Sequence, residues 1–104
     1  MATHKFNGVL YELYSQVQLQ VTDKAKTEGC IEREYVALWF DREGNWLVET
    51  RQTSRNTCAS WSTPLTEAKA REWYDAIAAV VIDEIDDTIH PLNDFYFEFG
   101  ERTD

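Results

Sequence analysis

"EREYVALWFDREGNWLVETRQT", residues 32–53, decides the fold. Two runs rich in β-branched and aromatic residues flank the short polar stretch "DREGN". Such runs fit pleated, half-buried strands. Gly44 and Asn45 tolerate the positive φ that a short hairpin loop requires. The spacing predicts a hairpin with strands over about 32–41 and 46–53. Its register stays open, because a shift of one residue decides whether Trp39 or Phe40 shares a face with Trp46 and Val48.

Upstream, "GVLYELYSQVQLQV" carries two periods. Leu10, Leu13, Tyr14, Val17 and Val21 suit a helix. Val17, Leu19 and Val21 alternate with Gln16, Gln18 and Gln20, which suits a strand with one wet face. Strict alternation is the tighter match, so residues 15–22 are expected to be a strand, and the residues before it helix or strand. "TDKAKTEG" reads as a turn or loop.

Downstream, "SRNTCASWSTP" is rich in Ser, Thr and Asn and reads as a surface loop anchored by Trp61. A helix follows. Thr66 suits the N-cap, Glu67 the first turn, and Leu65 the preceding hydrophobic staple. Ala70, Trp73, Ile77, Val81 and Ile85 form one apolar stripe. Pro91 disfavours helical geometry at His90, so the helix is expected to end by there. Phe95, Phe97 and Phe99 then alternate with Tyr96 and Glu98 as a short last strand. The expected architecture is α+β: one domain over residues 1–104, an antiparallel sheet of three to four strands, and one long helix packed on one face.

Composition narrows the function. The longest apolar run, Ala76 to Ile82, is far below the roughly 20 residues a spanning helix needs. "MATHKFNGVL" lacks the pattern of a signal peptide. Cys30 and Cys58 make no metal-binding spacing and are expected to be free thiols in a cytoplasmic protein. The net charge is -9. Residues 1–71 hold nine acids and nine bases, which cancel; residues 72–104 hold ten acids and only Arg102 as a base. The whole imbalance therefore lies in the last third. It argues against direct nucleic-acid binding, which needs clustered Lys and Arg, and it favours a protein partner with a basic surface.

The densest part is "VIDEIDDTIH", residues 81–90. On a helix Asp83, Asp86, Asp87 and His90 share a face. Three readings are open: a solvated face, an acidic protein-binding surface, or a site for a divalent cation. The expected partner-binding residues are Glu72, Asp75, Asp83, Glu84, Asp86 and Asp87, with Trp61 as an aromatic anchor. No catalytic residue, metal or cofactor is expected. A nucleophile at Cys58 needs a base, and His4 is expected at a frayed terminus, His90 beyond the helix.

Two resemblances follow. "WFDREGNWLVETRQTSRNTCASWSTPLTEAKAREW", residues 39–73, resembles a hairpin, polar loop and "LTEAxAxxW" helix pattern found in small proteins of bacteria, phages and mobile elements, and it carries no assigned chemistry. In size, acidity and lack of enzyme motifs the chain is similar to phage-encoded anti-CRISPR and other anti-defence inhibitors. That resemblance implies a non-enzymatic inhibitor, some of whose kind mimic nucleic acid, acting on a nucleic-acid-binding effector in a bacterial cytoplasm. No motif defines the group, so no residue role carries over. The rival expectations are a homo-oligomeric accessory or structural protein, for instance a homodimer paired through residues 95–99, and a small metal-dependent enzyme using Asp83, Asp87 and His90.

Overall fold

In chain order the elements are β1 (Thr3–Phe6), β2 (Val9–Gln18), β3 (Gln20–Val21), α1 (Asp23–Thr27), β4 (Ile31–Phe40), β5 (Trp46–Ser54), β6 (Cys58–Leu65), α2 (Glu67–Ala78) and β7 (Val81–Ile82). The computed structural model describes residues 2–27, 31–54 and 58–83, apart from the side chains of residues 31, 54, 58, 59 and 61. The expected last strand, residues 95–99, lies outside the described residues.

The central hairpin forms as its residues dictate. β4 and β5 pair antiparallel with Phe40 opposite Trp46 and Leu38 opposite Val48. Phe40 therefore shares a face with Trp46 and Val48, and Trp39 lies on the other face with Leu47. In the loop Gly44 takes φ +88°. Asn45 has no positive φ; it serves the loop through its hydrogen bonds. Asp41 accepts from the Asn45 backbone N–H at 2.7 Å, the Glu43 N–H at 3.0 Å and the Asn45 Nδ2 at 2.8 Å.

The side-chain bond from Asn45, and then the backbone N–H groups, hold the Asp41 carboxyl below its ordinary range. A lowered folded value means this contribution is complete above the unfolded pKa of about 4 and is lost as pH falls through the lowered value. Asp41→Ala is therefore expected to lower the urea midpoint at pH 7, with the gap to wild type closing as pH falls below about 4.

The sheet is larger than expected and the helix shorter. Five strands run in the order β1-β2-β4-β5-β6, and β3 and β7 make a separate parallel pair. The three- to four-stranded sheet under one long helix is thus replaced by a curled, five-stranded antiparallel half-barrel with a 12-residue helix. Three local reasons account for the difference.

First, Asn7 and Gly8 both have positive φ, 50° and 79°, and turn β1 tightly onto β2. Asn-Gly is a strong two-residue hairpin signal. The ambiguous segment is therefore strand throughout β2, interrupted by a bulge between Leu13 and Ser15. Gly8→Ala puts a Cβ on a left-handed backbone and is expected to cost about 1 kcal/mol, read as a lower urea midpoint.

Second, the expected surface loop is largely β6, paired with β5 from Trp46↔Leu65 to Thr53↔Cys58. Ser60, Ser62 and Thr63 are buried. Among the described residues β6 lies at the edge of the sheet, a position that tolerates Pro64. Trp61 lies on this strand, opposite Thr50, rather than in a loop.

Third, α2 starts as expected and stops early. The Thr66 hydroxyl accepts from the Lys69 N–H at 3.3 Å. Ala70 and Ile77 are buried, and Trp73 packs against the same core. The helix ends at Ala78, with Ala79 as C-cap. Val80, Val81 and Ile82 are all β-branched, which lowers helix propensity and favours strand. Val81 and Ile82 pair in parallel with Gln20 and Val21. Part of the expected loop after β3 is α1, whose Ala25 is fully buried.

Both faces of the sheet carry a core. Val36, Leu38, Trp46 and Val48 meet Ala70 and Ile77 of α2 on one face. Tyr11, Ala37, Trp39 and Leu47 form a second cluster on the other. On a flat sheet β1 and β5 stand three strand spacings apart, about 14 Å. Yet His4 Nε2 of β1 lies 4.0 Å from Glu49 Oε2 of β5. The sheet therefore curls toward this second face and makes it concave.

Candidate functional site

Every second residue of β4 and β5 points into the concavity. Cross-strand pairs set the order along it: Arg33 opposite Thr53, Tyr35 opposite Arg51, and Ala37 opposite Glu49. The resulting cavity is about 660 Å³ and is also lined by Gln16 of β2 and His4 of β1. Ala37 is small, so the floor is open where larger residues would fill it.

Glu49 is the most buried charged group lining the cavity, with 4% of its surface exposed. A carboxylate taken out of water needs donors. Oε1 accepts from the Trp39 indole Nε1–H at 3.2 Å. Oε2 is less well served, with the Arg51 guanidinium at 3.4 Å and His4 Nε2 at 4.0 Å. The His4 ring sits 5.3 Å from that of Trp39, tilted by 37°. Its Nε2 is buried and has no hydrogen-bond partner among the described residues. Trp39→Phe leaves Glu49 Oε1 without its donor, and the expected loss is about 1–3 kcal/mol of stability in urea denaturation.

A second aromatic group lies on the helix side. The Arg71 guanidinium stands 4.7 Å from the Tyr14 ring centroid and 5.0 Å from that of Trp46. It also donates to the Tyr14 hydroxyl at 3.1 Å and to Glu67 at 3.0 Å. These bonds, that to Tyr14 first, push the Arg71 pKa up. With its donors engaged, this cluster pins α2 to the sheet.

The expected acidic surface is placed in part. Glu72 and Asp75 share the exposed side of α2, one turn apart. Glu72 is paired with Lys69 at 3.6 Å and stays 67% exposed on its side chain. Asp75 pairs with no base among the described residues. Asp83 is exposed too but does not belong to that helix. It follows β7, and its Oδ1 accepts from the Thr22 hydroxyl at 2.6 Å. A helical face joining Asp83 to the later acids is therefore not continuous with α2. Glu84, Asp86, Asp87 and His90 lie outside the described residues. Among the described residues no group of three or more His, Cys, Asp or Glu is placed to hold a metal ion, and no helix is long and apolar enough to cross a membrane.

The residues that sequence reasoning missed are those of the concavity. His4 is no frayed terminus but a residue of β1, held by the turn at Asn7-Gly8. The Asn-Gly pair is the signal that finds it. Glu49 announces itself less directly: it is an acid whose alternation puts it on the face of Leu47 and Trp39. No protein-family model matches the chain, and no curated protein or solved structure matches it.

Proposed function

We propose that the protein is a non-enzymatic binding protein that occupies a basic, nucleic-acid-binding surface of a bacterial defence complex, in the manner of an anti-CRISPR inhibitor, in the host cytoplasm. The observation that carries this reading is the division of charge: residues 1–71 are balanced, and residues 72–104 hold ten acids against one base. The exposed placement of Glu72, Asp75 and Asp83 at the start of that acidic third supports it.

The physics is that of competition for a cationic channel. Such a channel gains affinity for nucleic acid by releasing counterions from phosphates. Exposed carboxylates engage the same Lys and Arg side chains, speed encounter, and lose their hold as salt rises. The same carboxylates repel phosphates, so the partner is a protein and not nucleic acid itself.

The test is a binding titration of a captured partner at low and high ionic strength. Binding that weakens steeply with salt, and that competes with the partner's own nucleic acid, is the expected result. Binding that ignores salt and leaves nucleic acid bound overturns the reading. So does sedimentation showing a salt-insensitive dimer of this chain with no affinity for a basic partner.

A further inference from the structure

We infer that a small pocket between β2 and α2 takes a lysine side chain of the basic protein partner, with the ammonium held by Asp75, Tyr74 and Ser15. The source of the lysine rests on the reading of a basic partner; the preference of the pocket for an ammonium group does not.

The pocket begins with the bulge in β2. The register with β4 shifts between Leu13 and Ser15, and Tyr14 is left without a partner on that strand. In a regular strand neighbouring side chains point to opposite faces, and a bulge re-aims them. Here both Tyr14 and Ser15 meet α2. The Tyr14 hydroxyl accepts from Arg71 at 3.1 Å, and the Ser15 and Tyr74 hydroxyls share a hydrogen bond of 2.8 Å. Beside these contacts lies a pocket of about 250 Å³, lined by Tyr14, Ser15, Leu38, Arg71, Tyr74 and Asp75. Pockets for whole small molecules run from roughly 300 to 1,000 Å³. This one suits a single long side chain.

Its polar groups favour a cation. Arg71 is the base among the lining residues, and Glu67 answers its charge at 3.0 Å. Asp75 is exposed and pairs with no base among the described residues. It is therefore the unbalanced charge here. Ser15 and Tyr74 spend one hydrogen bond on each other, which leaves a free lone pair on each oxygen. An ammonium has three donors and no acceptor. Asp75, Tyr74 and Ser15 offer it three acceptors. A planar guanidinium fork suits a bidentate carboxylate better than three separate oxygens, so the pocket favours lysine over arginine. A lysine stem lies on apolar surface while its head stays near water. Leu38 and the half-exposed Tyr14 ring supply that surface. A carboxylate in the same place meets the charge of Asp75.

The test titrates N-acetyl-lysine methylamide, and the same compound acetylated on its side-chain amine, into the protein. Binding is followed by the backbone N–H resonances of Ser15, Tyr74 and Asp75. The expected result is a saturable shift of these resonances at tens of millimolar lysine derivative, and at least fivefold weaker binding of the acetylated form. Asp75→Asn, on the exposed side of α2, is expected to melt as wild type and to bind the lysine derivative at least threefold more weakly. Glu43→Gln removes the same charge from the exposed β4–β5 loop and is expected to leave binding unchanged. No shift at these residues, equal binding of the two compounds, or equal losses in Asp75→Asn and Glu43→Gln overturns the proposal. The probe needs no captured partner, so its failure overturns the pocket alone, while a partner whose binding ignores salt overturns only the reading of a basic partner.

Discussion

Leu38→Ala is expected to lose about 2–5 kcal/mol of folding stability. Leu38 lies on β4, the strand flanked by β2 and β5, and it is 2% exposed within the core under α2. Removing its three outer carbons forfeits the transfer free energy of a buried side chain and leaves a cavity that a sheet paired on both sides closes poorly. Thermal denaturation is expected to move down by on the order of 10–20 °C. Leu10→Ala is the control. Leu10 is 59% exposed on β2, so its truncation is expected to change stability by less than about 0.5 kcal/mol. A helical reading of residues 10–21 puts both Leu10 and Leu13 in the apolar stripe and predicts a large loss at Leu10. Circular dichroism melts of the two variants separate these accounts.

The second large effect concerns binding. Reversing Asp83, Asp86 and Asp87 to Lys changes the net charge of -9 by six units. It turns local attraction for a basic surface into repulsion, and at least a tenfold loss of affinity at low salt is expected, equivalent to about 1.4 kcal/mol. Asp83 needs separate treatment, because its carboxylate accepts the Thr22 hydroxyl and so ties the end of β7 to the residue after β3. Asp86→Lys with Asp87→Lys keeps that bond and is the cleaner variant. It is expected to melt at the wild-type temperature and still bind several-fold more weakly. Titration calorimetry beside a thermal melt reads both quantities.

How much of this was legible in the sequence depended on whether local chemistry and tertiary context agreed. The β4–β5 hairpin was legible because propensity, alternation and loop residues all point one way. Its register was not, because Trp39 and Phe40 are both large and apolar and both faces of the sheet are covered. The N-cap at Thr66 was legible because one hydroxyl determines it.

The end of α2 was misjudged for a physical reason. Ala70, Trp73, Ile77 and Val81 keep helical spacing, and periodicity alone cannot detect that β3 offers Val81 and Ile82 a parallel partner. β6 was hidden by its composition: small hydroxylated residues read as loop, yet they pack within an edge strand. The acidic third was legible as charge, while only its first part has a described placement. The concave site was not legible, since it depends on curvature that brings His4 of β1 to Glu49 of β5.

The most direct measurement of the central claim is a pull-down from bacterial lysate at low and at high salt, with wild-type protein and the Asp86→Lys, Asp87→Lys variant side by side. The account predicts a nucleic-acid-binding protein retained by wild type at low salt, released at high salt, and absent from the variant at both. Recovery of the same protein by wild type and variant alike, unaffected by salt, would contradict it.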